Sequence, residues 1–227
     1  GAPERDCERD SSKSDCGQAY IFLGSAGGLE ALPDWTAQGV EENDHFGFDV
    51  GTAGDVNGDG YMDVIVGAPR DPGDSSGAGS VYVYHGAAEG LSGGYSADWE
   101  ADGERDDDHF GWSVDTAGDV NGDGYDDVVI GAPERDDGSV AGSGANDAGK
   151  AYVYHGSAEG LKRIAAWGEI GRYRTDRYGF AVGTAGDVNG DGYSEIVVGM
   201  PFYTDDDDGA AYLYFGEAPV VDDRADW

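Results

Sequence analysis

Asp55-Val56-Asn57-Gly58-Asp59-Gly60-Tyr61-Met62-Asp63 is a nine-residue stretch that the chain uses three times. It returns as Asp119-Val120-Asn121-Gly122-Asp123-Gly124-Tyr125-Asp126-Asp127 and as Asp187-Val188-Asn189-Gly190-Asp191-Gly192-Tyr193-Ser194-Glu195. Positions 1, 3, 5 and 9 carry side-chain oxygen each time, and position 6 is Gly. Calcium takes six to eight oxygen ligands, and an acidic loop folded around a glycine turn supplies them. Asn, Asp and Gly also close hairpins without any metal. Three copies with oxygen at every ligand position favour the metal. The expected ligands are Asp55, Asn57, Asp59 and Asp63 with the carbonyl of Tyr61; Asp119, Asn121, Asp123 and Asp127 with that of Tyr125; and Asp187, Asn189, Asp191 and Glu195 with that of Tyr193. Three Ca2+ sites result. They are not EF-hands, which need a Glu at position 12 and a flanking helix on each side. Here Val64-Ile65-Val66, Val128-Val129-Ile130 and Ile196-Val197-Val198 follow, and such apolar runs read as buried strands.

The loops begin at 55, 119 and 187, so the repeat period is 64 and then 68 residues. Upstream lie Asp44-His45-Phe46-Gly47-Phe48, Asp108-His109-Phe110-Gly111-Trp112 and Asp176-Arg177-Tyr178-Gly179-Phe180, each running through Val-x-Thr-Ala-Gly into the loop. Downstream, strand B ends in Gly67-Ala68-Pro69, Gly131-Ala132-Pro133 or Gly199-Met200-Pro201. An alternating strand C follows at Val81–Tyr84, Ala151–Tyr154 and Ala211–Tyr214, and a Trp at 99, 167 and 227 marks a fourth segment. Each unit reads as strands A to D with the calcium loop at the A–B turn. A strand that is apolar throughout is buried on both faces. One four-stranded sheet cannot bury both of its faces alone, whereas radial stacking can, and that architecture is a β-propeller. The fold class is therefore all-β: β-propeller blades, each a four-stranded antiparallel sheet.

The order Phe-Gly, then Asp-x-Asn-Gly-Asp-Gly-x-x-Asp, then Gly-Ala-Pro resembles FG-GAP repeats, and the match covers nearly the whole chain. Tyr178 for Phe, Met200 for Ala and Glu195 for Asp are its conservative departures. The resemblance implies the seven-bladed propeller of integrin α subunits and of many secreted bacterial proteins. Gly1-Ala2-Pro3, a strand Ala19–Leu23 and Trp35 precede the first Phe-Gly, as a C–D half without its A–B half. The expected division is a half-blade at 1–35 and blades at 36–99, 100–167 and 168–227, all in one propeller domain. About three and a half blades of a seven-bladed ring are then present. The inner edge of Ala19–Leu23 is expected to lack strand partners, which the remainder of the same propeller or self-assembly would supply.

Net charge is -34, with 47 acidic and 13 basic residues. Such a field repels nucleic-acid phosphates and anionic membranes, which argues against nucleic-acid partners. No run approaches the roughly 18 apolar residues of a membrane span, so direct membrane insertion is not expected. The Asp excess with scarce Lys resembles salt-adapted surfaces; acidic loops and calcium sites alone also produce it. Cys7 and Cys16 flank a short polar loop, and a disulfide there fits an oxidising compartment. Two free thiols are the alternative. His45 and His109 stand before Phe-Gly, while His85 and His155 end strand C; Arg177 and Phe215 replace them in the last unit, which favours packing over catalysis. Asp205 to Asp208 reads as a solvated acidic run.

A non-enzymatic, secreted or cell-surface calcium-binding module for binding, cell adhesion or assembly is the expected function. A structural subunit of a surface layer or filament and a non-catalytic domain of a secreted enzyme are the alternatives. Variable loops 70–79, 134–149 and 202–210 should gather with 36–44, 100–108 and 168–176 on the rim opposite the calcium loops. Loops held by a rigid scaffold are where binding evolves, and the integrin resemblance places ligand recognition on that rim. A protein or glycan ligand is expected there.

Overall fold

The computed structural model describes residues 1–6, 14–70, 77–91, 96–136, 147–172, 175–202 and 208–217. Cys7, Trp227, Asp205 to Asp207 and the middles of the three variable loops lie outside the described residues. The described elements are all β-strands. In the first sheet β1 (Gln18–Ile21) pairs antiparallel with β4 (Trp35–Gln38), and the short β2 (Gly24–Ser25) and β3 (Gly28–Leu29) form a hairpin between them. The second sheet holds β5 (Val50–Gly54), β6 (Asp63–Ala68), β7 (Ser80–Tyr84) and β10 (Trp99–Asp102) in that order, with a hairpin of β8 (Gly86–Ala87) and β9 (Gly90–Leu91) beside it. The third holds β11 (Ser113–Gly118), β12 (Asp127–Ala132), β13 (Lys150–Tyr154) and β14 (Trp167–Ile170). The last holds β15 (Ala181–Gly186), β16 (Glu195–Met200) and β17 (Ala210–Tyr214). These are antiparallel propeller blades. Their first strands stand side by side, β5 against β11 and β11 against β15.

The first strand is shorter than the sequence suggests. It ends at Ile21, because Asp34 then turns the chain: the Asp34 N–H donates to the Ile21 carbonyl at 2.8 Å and its carboxylate accepts from the Leu23 N–H at 2.8 Å. Phe22 and Leu23 are left exposed. On its other edge β1 meets Ala2, which exchanges two backbone bonds with Gln18 at 2.7 and 3.0 Å. Cys16 is buried and disulfide-bonded.

The core lies between the sheets, in three clusters. Trp35, Tyr84, Val66 and Phe46 belong to the first joint; Trp99, Tyr154, Ile65 and Ile130 to the second; Trp167, Tyr214, Val129 and Ile196 to the third. One rule repeats. The Trp opening the fourth strand packs on the last Tyr of the next sheet's third strand, with centroids 4.8 Å apart for Trp35–Tyr84, 5.1 Å for Trp99–Tyr154 and 5.0 Å for Trp167–Tyr214. Such pairs contribute about 0.5–1.5 kcal/mol beyond the area they bury.

The Phe-Gly and Gly-Ala-Pro motifs meet at these joints. The N–H of Phe46, Phe110 or Tyr178 donates to a carbonyl of the preceding sheet, that of Cys16 (3.2 Å), Ala78 (2.9 Å) or Ala148 (2.9 Å). The three rings are all at least 98 % buried. Directly beside them the backbones touch. A Cβ on Gly67 would lie 2.0 Å from the Gly111 carbonyl oxygen, and one on Gly131 only 1.9 Å from that of Gly179. Among the described residues, Gly199, at the same place in the last sheet, would meet nothing closer than the Ala181 Cβ at 3.6 Å.

That contrast is testable. Gly131→Ala must push two backbones apart and should cost about 1–3 kcal/mol, the usual cost of overpacking. Gly199→Ala should be silent or slightly stabilising, since removing a strand glycine is worth roughly 0.5–1 kcal/mol. Thermal denaturation followed by circular dichroism checks both, and equal melting shifts would contradict this account of the joints.

Candidate metal centre

Each nine-residue loop leaves its sheet through the same irregularity. The pairing of β5 with β6, β11 with β12 and β15 with β16 is regular up to Thr52, Thr116 and Thr184, then shifts register at Gly54, Gly118 and Gly186. Those glycines have φ of 80°, 69° and 67°, the left-handed conformation of a bulge residue. The Thr hydroxyl accepts the Gly N–H at 3.0–3.1 Å. It also donates to the position-9 carbonyl at 3.3–3.4 Å. Val-x-Thr-Ala-Gly is thus the device that aims the chain into the loop.

Within the loop the side-chain oxygens are held by backbone donors. In the first, Asp55 Oδ1 accepts from the Asp59 N–H (3.0 Å) and Oδ2 from the Gly60 N–H (2.9 Å). Asn57 Oδ1 also accepts from the Asp59 N–H (2.9 Å), and Asp59 Oδ1 from the Tyr61 N–H (2.9 Å). The same four bonds recur from Asp119, Asn121 and Asp123 and from Asp187, Asn189 and Asp191, at 2.8–3.1 Å. Positions 1, 3 and 5 of all three loops are therefore brought together and fixed in orientation.

Position 9 comes from the start of the second strand and is fully buried as Asp63, Asp127 and Glu195. Asp63 accepts from the N–H groups of Val56 (2.9 Å) and Gly86 (2.8 Å), and Asp127 from those of Val120 (3.0 Å) and Gly156 (2.9 Å). This residue ties the loop to the end of the third strand. Glu195 is one methylene longer. Its Oε2 accepts from the Val188 N–H at 2.6 Å, and its buried Oε1 has no well-formed hydrogen bond. In this loop Asp187, Asp191 and Glu195 bring carboxylate oxygens within 4.8 Å of one another. Hard oxygen donors gathered this closely fit a divalent cation such as Ca2+. Burial raises the pKa of all three position-9 groups, Asp127 to about 7, and the neighbouring carboxylates of the same loop add to the rise.

Successive loops touch. The Asp126 N–H donates to the Asp55 carbonyl at 3.1 Å, and the Asp126 carboxylate accepts from the Asp55 N–H at 2.8 Å. One unit on, the Ser194 N–H donates to the Asp119 carbonyl at 2.9 Å. Position 8 varies as Met62, Asp126 and Ser194, so nothing in the repeat pattern singles it out.

The variable loops meet one another elsewhere. Arg135, 5 % exposed, pairs with Glu104 at 2.6 Å and with Asp108 at 3.2 Å, and Lys150 reaches Glu104 at 2.9 Å while lying 4.2 Å over the Tyr152 ring. Burial pushes the Asp108 pKa up to about 6 in spite of Arg135. Glu134 is held by His109 at 3.1 Å and by Arg177 of the next unit at 3.4 Å. Burial lowers the pKa of His45 and of His155.

The sequence profile described as FG-GAP repeat matches residues 46–84, 110–154 and 178–214. Integrin alpha-PS5 of Drosophila melanogaster is 32% identical over 225 residues, covering 93% of this chain and 20% of the relative. Integrin alpha-6 of Gallus gallus is 36% identical over 162 residues, 68% of this chain and 13% of the relative. Integrin alpha-V of Gallus gallus is 31% identical over 182 residues, 80% of this chain and 16% of the relative. The chain thus spans a fifth or less of the length of these relatives.

The raised Asp127 pKa sets a pH dependence. Without an ion, a carboxyl whose pKa rises from 3.8 in the open chain to about 7 in the fold contributes stability that is fully present below the lower value. That contribution is lost as pH rises toward and through about 7. In chelator the melting temperature should therefore fall between pH 4 and pH 7 by more than it does in Asp127→Asn, which cannot ionise. Saturating calcium binds the carboxylate form and should flatten or reverse the fall. Parallel slopes for the two proteins in chelator would exclude this role for Asp127.

Proposed function

Because the chain belongs to the FG-GAP repeat family, we propose that it is an extracellular, calcium-stabilised β-propeller module for binding or adhesion. Residues 1–227 form one domain of this kind, part of a seven-bladed ring. Each loop holds one Ca2+ through positions 1, 3, 5 and 9 and the carbonyl of Tyr61, Tyr125 or Tyr193. The observation that carries the reading is the identical fixation of carboxylate and amide oxygens in three loops, with three carboxylates within 4.8 Å in the last. The similarity to integrin alpha chains over most of this chain supports an adhesive rather than a catalytic role. No described helix is long and apolar enough to cross a membrane.

A protein or glycan ligand docks on the rim of the variable loops, where Glu104, Arg135, Lys150, Glu134 and Arg177 give a mixed, partly desolvated polar surface. The calcium rim holds the blades that present it.

Isothermal titration should find three calcium ions per chain, falling to two in each of Asp59→Ala, Asp123→Ala and Asp191→Ala. An ion at a hundredfold excess over its Kd stabilises by about 2.7 kcal/mol per site, so chelator should lower the melting temperature clearly. An unchanged melt in chelator would sink the calcium assignment. Immobilised on a sensor, the chain should retain extracellular-matrix proteins or glycans from a panel. Glu134→Lys should weaken that retention and leave the calcium titration intact.

A further inference from the structure

The loops are not independent. The ring of Tyr125, position 7 of the second loop, lies on Gly58, position 4 of the first: a Cβ there would sit 2.7 Å from Tyr125 Cε1. The ring of Tyr193 covers Gly122 in the same way, at 2.4 Å. Position 8 completes the contact. A Cβ on Gly54 would collide with the Asp126 carboxylate at 2.3 Å, and one on Gly118 with Ser194 Oγ at 2.3 Å. Asp126 is in addition bonded to both the N–H and the carbonyl of Asp55. The Ser157 N–H donates to the Val56 carbonyl at 3.1 Å. The following blade thus grips positions 1, 2 and 4 of the loop before it.

The third loop supplies the contrast within one molecule. A Cβ on Gly190 would meet nothing within 4 Å among the described residues. Val56 and Val120, at position 2 of the gripped loops, are fully buried, whereas Val188 is 54 % exposed. Four bonds of positions 1, 3 and 5 recur in all three loops, while the third carries Glu195 in place of Asp at position 9.

We infer that the first two ion sites are each built by two blades. The loop supplies the oxygen ligands, and Tyr125 with Asp126, or Tyr193 with Ser194, are positioning residues that hold the preceding loop in its binding shape. This rests on the calcium reading above and deepens it. Tyr125 has two separable duties: its main-chain carbonyl serves its own loop, and its ring serves the loop before. Removing the ring should harm the neighbour's site and spare its own. A loop without its clamp must be ordered by the ion itself, and affinity falls by the fraction of time it spends out of shape. The Asp126 carboxylate also adds negative charge beside Asp55, which favours a cation there.

The test uses the full chain with one loop left intact at a time. With Asp123→Ala and Asp191→Ala present, only the Asp55–Asp63 loop binds calcium. Adding Tyr125→Ala should raise its Kd about tenfold by isothermal titration, equivalent to roughly 1.4 kcal/mol. Asp126→Ala should act in the same direction, and Tyr125→Phe, which keeps the touching ring atoms, should restore binding. With Asp59→Ala and Asp191→Ala present, the Asp119–Asp127 loop should keep its Kd within about twofold when Tyr125→Ala is added. Loss of binding in the second background, or no change in the first, overturns the inference while leaving the calcium reading standing. Calcium binding absent from the unsubstituted chain overturns both. Should Tyr125→Ala fail to fold, as shown by circular dichroism, Asp126→Ala alone decides: no weakening of the first loop refutes it.

Discussion

Everything in this molecule follows from how closely two sheets approach along their inner edge. At each joint the glycine of Gly-Ala-Pro lies against the carbonyl of the glycine in the next Phe-Gly, and no Cβ fits between them. That contact sets the spacing. The spacing lets the Phe or Tyr ring drop into the preceding sheet, and lets each Trp reach the Tyr of the sheet that follows. It also brings one nine-residue loop within hydrogen-bonding distance of the next. An apolar sheet face has little reason to choose one neighbour over another by hydrophobicity alone. Shape at the glycine pair, and the N–H bonds on either side of it, make the choice.

The charge has to be accommodated within that frame. Forty-seven acidic residues in a chain of 227 oppose compaction by self-repulsion. Some of that burden is absorbed locally, by carboxylates that accept two or more backbone N–H bonds in the loops and at Asp63 and Asp127. Some is absorbed at the other loops by Arg135, Lys150 and Arg177. These are three of only thirteen basic residues; Arg135 and Lys150 tie the two ends of one unit together, and Arg177 joins that unit to the next.

Much of this was legible in the sequence because the repeat reports on itself. The apolar runs at Val64–Val66 and Val128–Ile130 fell inside second strands, the alternation at Val81–Tyr84 inside a third, and the side-chain oxygens at positions 1 and 3 of the first loop accept its own N–H groups. The end of the first strand was not legible: Phe22 and Leu23 continue its apolar alternation, and what stops it is an Asp34 carboxylate thirteen residues beyond Ile21. Position 8 was missed for a different reason. Met62, Asp126 and Ser194 share no chemistry, and their task is done against another unit, which a pattern read within one unit cannot reveal. Tyr at position 7 was read for its carbonyl, while the ring contact with Gly58 and Gly122 needed coordinates.

The pairing of each Trp with the Tyr of the next sheet carries a consequence for heredity. The units 36–99 and 100–167 each bear one half of the joint on the leading face and the other half on the trailing face, within a single repeat period. A duplication of one period, in frame, therefore inserts a sheet already complementary to both of its new neighbours, and a deletion rejoins two that already match. Change in the number of units needs no compensating substitution at the joint. Drift within a unit does, because altering Trp99 removes a ring that packs on Tyr154 in a different copy.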